Sequence, residues 1–209
     1  LLAVCLSGAS GQALSAELAA EAAQILIGAY YRTGGTVTSA VKDAVDALNE
    51  NLLARSERNP VVLVMNLCVI RGGLVYIAHA GPAHTFLINA AGGNEFFDPS
   101  SAGRGLGASR AVPLRFFQAS VEAGDALIFA VEPPPAWPAA LSLSATRHPA
   151  RLLTTPTADL RAGLVRVDTG TGQIRSEPLP APQVVGEPPA APLPQAPPTM
   201  PAPVMEIST

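Results

Sequence analysis

The sequence predicts an α+β domain in which helices pack on antiparallel sheets. Three features carry this prediction: a short apolar run opens the chain, two segments of helical periodicity follow, and most of the rest alternates short apolar runs with glycine-containing turns. Apolar runs of roughly four to eight residues are too short for helices and are typical of buried strands. Because the later strands follow one another without intervening helices, the order favours antiparallel pairing over repeated βα units.

The two helical segments follow the first apolar run. Apolar side chains recur every three or four positions in residues 13–31 and again in residues 38–53, which is the spacing of one buried helix face. Gly34-Gly35 predicts the end of the first helix, since glycine commonly follows a helix C-terminus. We expect Thr38 or Ser39 to cap the second helix through its hydroxyl group.

The stretch from residue 72 to residue 88, GGLVYIAHAGPAHTFLI, is the centre of the strand-rich part. It reads as a β-hairpin with its corner at Gly81-Pro82, because a turn dipeptide separates two β-rich runs. Residues 61–70 form a strand before it, and the turn at Gly72-Gly73 pairs the two as neighbours. Further short strands are predicted at residues 95–97, 114–121, 126–131 and 160–167.

Composition excludes several classes of function. Charged residues make up 14% of the chain and the formal net charge is -3, so the sequence lacks the basic surface that nucleic acids or anionic membranes attract. It contains no run of about 18 apolar residues, which argues against a membrane span within it. Cys5 and Cys68 both lie in apolar runs and read as small buried hydrophobes. We therefore expect a cytoplasmic protein with reduced thiols.

The chain divides by composition into two parts. Residues 1–175 are expected to form the domain, and residues 176–209 are rich in proline, alanine and glutamine, which predicts an extended linker or tail without a core. The segment could also be a ligand for a proline-reading module; as a linker, it implies a further domain beyond it. The chain also begins inside a predicted strand, so we expect an upstream part of the domain to be missing.

Four stretches in order resemble the metal-dependent PP2C (PPM-type) protein phosphatases. They are LLAVCLSGASGQALSAELA, which resembles the strand, Asp-Gly-x-Gly-Gly turn and helix of that family; VYIAHAGPAHTFLI, which resembles its Gly-Asp-Ser-Arg segment; GDALIFAVEPPP, which resembles its strand ending in Ser-Asp-Gly; and TADLRAGLVRV, which resembles its closing Asp-Asn and strand. This resemblance covers residues 1–167 and implies a four-layer αββα sandwich.

The resemblance also implies a site for two divalent ions, and most of its ligands are missing from this sequence. The four aspartates of the family fall at Leu6, Pro82, Glu132 and Asp159, and the Asn partner of the last falls at Leu160. Divalent ions of this kind need anionic oxygen ligands. We therefore predict a degenerate site that binds no metal cofactor, in a catalytically inactive domain that acts as a binding or regulatory module with a protein partner.

Two alternatives to this prediction remain open. One is a divergent serine/threonine protein phosphatase that keeps a single Mn or Mg ion on Glu132 and Asp159. The other is a structural spacer domain in a larger signalling or envelope protein. Metal-dependent turnover of an aryl phosphate is expected only of the first alternative.

Other candidate residues have simpler structural interpretations. His79 and His84 lie five residues apart and could share a zinc ion, but no third ligand is adjacent in the sequence. Ser7, Ser10 and Ser15 precede a helix, where they could hold an anion, although helix capping explains such serines equally well.

The segment from residue 99 to residue 107 is rich in glycine and serine. It does not connect a strand to a helix as a phosphate-binding loop would. We expect it to be a mobile flap over one end of a sheet. Arg104 and Arg110 could contact a partner there.

Overall fold

The structure, a computed structural model, describes residues 1–9, 13–56, 61–101, 105–137 and 162–170. Residues Leu1–Gly170 form one compact unit. Its helices and strands are, in chain order, β1 (Leu2–Gly8), α1 (Ala16–Arg32), α2 (Val37–Ser56), β2 (Leu63–Arg71), β3 (Leu74–Ala80), β4 (His84–Asn89), β5 (Gly92–Phe96), β6 (Leu114–Ser120), β7 (Ala126–Ala130) and β8 (Ala162–Arg166). The predicted proline-rich segment, Ser10, Arg104, Asp159 and Leu160 lie outside the described residues.

The strands form two antiparallel four-stranded sheets. Sheet A has the order β1-β2-β3-β6 and sheet B has the order β5-β4-β7-β8. Helices α1 and α2 pack on one face of sheet A, and the other face of sheet A packs on sheet B. In the described part of the chain, Trp137 packs on the outer face of sheet B. The predicted α+β sandwich is thus confirmed.

Strand alternation decides which side chains reach which layer. In β1, Leu2, Val4 and Leu6 pack toward the helices, whereas Ala3 and Cys5 pack toward sheet B. Successive side chains of a strand point to opposite faces of the sheet. The central strands of sheet A are covered on both faces, which is why their sequences read as continuous apolar runs rather than as alternating ones.

The predicted hairpin in residues 72–88 is wrong. Strand β3 pairs with β2 and β6, whereas β4 pairs with β5 and β7, so the chain crosses from sheet A to sheet B at residues 81–83. The Ala83 N–H donates to the Gly81 carbonyl oxygen at 2.8 Å, which closes a three-residue turn. Gly81 has φ +87°, a value that glycine adopts freely. The prediction failed because a turn dipeptide such as Gly81-Pro82 can form a crossing between two sheets as readily as the corner of a hairpin.

The turn at Gly72-Gly73 agrees with the prediction. Arg71 pairs with Leu74, so these two glycines alone connect β2 to β3. Both have positive φ, 61° and 75°, as the two-residue turns that suit twisted strands require.

The boundaries of two elements differ from the predicted ones. Helix α2 begins at Val37, and the Ser39 N–H donates to the Thr36 hydroxyl oxygen at 3.2 Å. The capping side chain is therefore that of Thr36, ahead of the predicted Thr38 or Ser39. Strand β5 begins at Gly92, three residues before the predicted strand, because the Asn89 side chain accepts from the Ala91 and Gly92 N–H groups and tightens the turn.

The glycine-rich segment is not a mobile flap in its described C-terminal part. Leu106 is fully buried and pairs with Leu63 through two backbone hydrogen bonds of 3.0 and 2.8 Å. Gly107 lies so close to α2 and to the segment before β2 that a Cβ there would overlap the Val61 carbonyl oxygen and approach the Leu52 Cβ to 3.2 Å. These glycines permit close packing rather than movement.

Helices long and apolar enough to cross a lipid bilayer do not occur among the described residues.

Candidate functional site

The predicted site positions in sheet A lie at one end of its strands. Leu6 pairs with Met65, and Met65 pairs with Ala80 on its other side, so Leu6 and Ala80 occupy one row, roughly 10 Å apart at the usual strand spacing. Pro82 follows two residues after Ala80.

The corresponding positions in sheet B lie at the same end. His84, two residues after Pro82, pairs with Ala130, and Glu132 follows two residues later. Ala130 also pairs with Ala162, where β8 begins. We call this end of the sandwich the corner end and define it by Ser7, Gly8, residues 81–83 and residues 131–132. The fold therefore brings the described site positions to one end of the molecule.

The side chains of β1 at the corner end have different surroundings. Leu6 is partly buried and packs against the core between sheet A and the helices. By strand alternation, Ser7 faces the space between the sheets. Ser7 is 7% exposed, and its hydroxyl oxygen has no hydrogen-bond partner among the described residues. The β1 side chain that could reach a ligand between the sheets is therefore a hydroxyl rather than a carboxylate.

The remaining described site positions offer one carboxylate. Pro82 is partly buried and Glu132 is exposed. Within the described ranges, no three side chains of His, Cys, Asp or Glu lie close enough together to hold a metal ion. Two divalent ions in one centre need several anionic oxygens for neutralisation. One hydroxyl group and one exposed carboxylate do not fit such a centre.

A buried polar network lies directly beneath the corner. The His79 Nε2 and Thr85 Oγ1 atoms are 2.8 Å apart, and the Thr85 hydroxyl donates to Asn66 Oδ1 at 3.2 Å. The Asn66 side-chain NH2 in turn donates to the Ala130 carbonyl oxygen at 3.3 Å. All three side chains are at least 99% buried. The network therefore joins strands β2 and β3 of sheet A to strands β4 and β7 of sheet B.

The network has a defined donor direction. The Thr85 hydroxyl has a single proton, which goes to Asn66, so the Thr85 oxygen must accept from His79 Nε2–H. The proton of neutral His79 is then on Nε2, and Nδ1 carries a lone pair that has no partner in the described structure. Burial, followed by the nearby His84, lowers the pKa of His79 to about 4. The imidazole is therefore neutral at physiological pH.

His84 belongs to a different environment from His79. Its Nδ1 lies 2.7 Å from Glu95 Oε1, and its ring stacks on Phe97 at a centroid distance of 3.9 Å. The His84 ring also lies parallel to that of Phe86, whose side chain packs on the outer face of sheet B. His79, in contrast, lies between the sheets. The two histidines thus have separate partners.

Ser15 and Arg110, two other predicted candidates, take part in contacts that stabilise the fold, Ser15 through its side chain and Arg110 through its backbone. The Ser15 hydroxyl accepts from the Leu18 N–H at 3.2 Å and caps α1, as the capping interpretation expects. Arg110 is exposed beside residues 105–107. The neighbouring backbone carbonyls of Arg110 and Ser109 accept from the Asn49 side chain.

Sequence reasoning missed Asn66, Thr85 and Asn49. Asn66 interrupts the run VLVMNLCVI, and a polar residue within a buried strand signals a hydrogen-bond partner in the core. That signal was available, but the partner, Thr85, lies in the other sheet. Asn49 lies on α2 and accepts from the Gly107 N–H at 2.7 Å. It was missed because its position in the helical pattern is that of an ordinary solvent-facing residue.

A second region of interest is a cavity of about 330 Å³ at the other end of sheet A. It lies between the end of α1 and the start of α2, and Tyr30, Tyr31, Thr36 and Arg71 are among its lining residues. Tyr31 is 70% exposed, which is unusual for a large aromatic side chain. Leu6, Pro82 and Glu132, the site positions that the structure describes, do not line this cavity.

The sandwich has the fold of the PP2C (PPM-type) phosphatases, as solved structures show. The serine/threonine phosphatase PstP/Ppp of Mycobacterium tuberculosis aligns with a TM-score of 0.57 and 14% identity over 80% of this chain and 88% of its own. The PPM Ser-Thr phosphatase MsPP of Mycobacterium smegmatis aligns with a TM-score of 0.57 and 15% identity over 81% of this chain and 87% of its own.

PppA, described as a key regulatory component of T6SS in Pseudomonas aeruginosa, also aligns, with a TM-score of 0.48 and 15% identity over 62% of this chain. The chain covers 64% of that protein, which is less than two thirds of its length. No protein-family model matches the sequence, and no curated protein matches it either. At these identities the comparisons establish the fold alone.

Proposed function

We propose that this chain is a PP2C-like domain without two-metal phosphatase chemistry, and that it acts as a binding or regulatory module for a protein partner. The observation that carries the proposal is the composition of the corner end. In its described part, Ser7, Pro82 and Glu132 provide one hydroxyl group, one ring without a donor atom and one exposed carboxylate.

Neither β1 residue that could correspond to the first family aspartate supplies an anionic ligand. Leu6 has no donor atom and packs toward the helices. Ser7 faces the space between the sheets, but its neutral hydroxyl cannot replace a carboxylate that screens two dications from each other. Either correspondence leaves β1 without an anionic ligand.

The first alternative, a phosphatase with a reduced metal site, is favoured by one observation. Glu132 is exposed two residues beyond the end of β7, so its carboxylate is available to an ion. The second ligand of this alternative, Asp159, lies outside the described residues. A single Mn or Mg ion held there would still supply Lewis-acid chemistry to a phosphate ester.

Thermal unfolding distinguishes the proposal from this alternative. An ion that binds only the folded state must raise the melting temperature. We expect the chain to melt at the same temperature in Mn, in Mg and in EDTA. A rise in Mn that is lost in Glu132→Gln would establish the reduced metal site and overturn the proposal. Glu122→Gln, at another exposed glutamate, is the matched control.

The partner and the location are also part of the proposal. The low charge content and the large exposed apolar side chains of α1, Ile27 and Tyr31, favour a protein partner over a polyanion. Cys5 and Cys68 are both free thiols, which supports a cytoplasmic location.

The spacer alternative makes a different prediction. If the domain only separates other parts of a larger protein, deletion of residues 176–209 should impair the function of that protein more than substitutions at the corner end. If the domain is a binding module, substitutions on its surface should impair function while the proline-rich segment is intact.

A further inference from the structure

The network formed by His79, Thr85 and Asn66 connects the two sheets immediately below the chain crossing. Thr85 is the second residue of β4, and its hydroxyl contacts side chains of both β2 and β3. Asn66 reaches in the same way from β2 to the backbone of β7. Each of these contacts crosses the layer that separates the sheets, so the network fixes the position of sheet B at the corner end.

We propose that His79, Thr85 and Asn66 form an acid-sensitive latch, which holds sheet B against sheet A at the corner end and opens when the His79 imidazole takes up a proton. The latch is a conformational property of the fold. It does not rest on the proposed function.

The geometry makes protonation incompatible with the closed latch. His79 already donates from Nε2 to Thr85, so a second proton must go to Nδ1, which has no acceptor in the described structure. The ring is 1% exposed and lies 5.2 Å from the ring of Phe117. A charged imidazole with an unpaired N–H is costly in such a site. Reaching water requires the side chain to leave, and Thr85 then loses its donor.

Within the described ranges, the elements around His79 offer no compensating negative charge. From β6, Arg115 pairs with His79 across the sheet and carries a positive charge, and its guanidinium binds Asp98. From β4, His84 is the nearest ionisable group, and it binds Glu95. Strand β2 presents Asn66, and β7 contains no ionisable residue. The lowered pKa of His79, near 4, follows from burial and from His84.

The single tryptophan of the chain provides the measurement. Trp137 is 3% exposed and packs edge-on against Phe86, the residue after Thr85, at a centroid distance of 5.8 Å. Opening of β4 should therefore change the Trp137 fluorescence. We expect the fluorescence of the 209-residue chain to shift to the red as the pH falls from 7.5 to 4, while far-UV circular dichroism retains its helical signal.

Three variants separate the latch from other acid effects. His79→Gln stays neutral at every pH and should lose the fluorescence transition, whereas the control His84→Gln should keep it. Thr85→Val removes the acceptor, so its fluorescence at pH 7.5 should resemble that of the unsubstituted chain in acid. If His79→Gln retains the transition with an unchanged midpoint, the proposal is overturned.

The Thr85→Val variant keeps the test decisive if His79→Gln does not fold. If removal of the acceptor opens the latch, His79 reaches water and its pKa should move nearer its ordinary value. The pH titration of its ring proton signals in NMR should then have a higher midpoint than in the unsubstituted chain. An unchanged midpoint in Thr85→Val would contradict the latch.

Discussion

Pro82 occupies the crossing between the two sheets, where its ring restricts φ to about −65°. The three-residue turn that Gly81 and Ala83 close requires a central φ near this value. The backbone conformation of the turn therefore accounts for a proline at this position without any catalytic role. We predict that Pro82→Ala lowers the free energy of unfolding by roughly 0.5–1 kcal/mol, because the unfolded chain gains freedom. Urea unfolding of both proteins measures this difference.

A carboxylate at the same position should not restore catalysis. We expect Pro82→Asp to hydrolyse an aryl phosphate no faster than the matched neutral variant Pro82→Asn, because neither Leu6 nor Ser7 can supply the second anionic ligand. A manganese-dependent rate in the aspartate variant alone would show that one carboxylate completes the site.

Gly107 tests whether the glycine-rich segment is packed or mobile. Its φ is +82°, and a Cβ would overlap the Val61 carbonyl oxygen. We predict that Gly107→Ala destabilises the fold by about 2 kcal/mol or more, through strain and overpacking. Gly34→Ala is the control, since a Cβ there meets no atom within 4 Å. Equal melting temperatures for the two variants would favour a mobile flap.

The buried His79 should make the free energy of unfolding decrease as the pH falls. Its pKa is lowered from 6.5 to about 4 in the folded state, so the unfolded chain binds the proton first as the pH falls. The stabilisation is complete above pH 6.5 and is lost progressively toward pH 4, by roughly 3 kcal/mol in all. Urea unfolding at pH 7.5 and at pH 4.5 should show a larger loss in the unsubstituted chain than in His79→Gln.

At the scale of elements, Asn49 connects α2 to the segment that follows residue 104. Its side chain accepts from the Gly107 N–H and donates to the Ser109 carbonyl oxygen, and it is 2% exposed. Removing it leaves these backbone groups without partners. We predict a loss of about 1–3 kcal/mol for Asn49→Ala, measured by thermal unfolding, and a smaller loss for the partly exposed Asn51→Ala. Similar losses in both would contradict this role.

Periodicity predicted most of the elements but not their division into sheets. Both helices and the strands β2, β6, β7 and β8 could be predicted, because each has its own apolar pattern in the local sequence. The assignment of β3 and β4 to different sheets depends on partners far along the chain, and Gly81-Pro82 is compatible with either topology. The sequence around Gly105 and Gly107 predicted a flexible loop, because the close contacts of these glycines with residues 61–63 are visible only in three dimensions.

At the scale of the whole molecule, the resemblance predicted the sandwich. The resemblance could not specify which β1 side chains face sheet B, because a shift of one residue along the strand exchanges the two faces of the sheet. Leu6 thus packs toward the helices while Ser7 faces sheet B. His79 and Thr85 lie within one of the four resembling stretches but at none of its ligand positions, and only the structure brings them together with Asn66.

The hydrolysis of p-nitrophenyl phosphate measures whether this domain has metal-dependent phosphatase activity. The rate should be measured for the 209-residue chain in Mn, in Mg and in EDTA, beside the same solutions without protein. We expect the three rates to equal those of the protein-free solutions, because the described part of the corner end lacks the carboxylates of a two-metal centre. A rate that rises with Mn, falls in EDTA and is abolished by Glu132→Gln would contradict it.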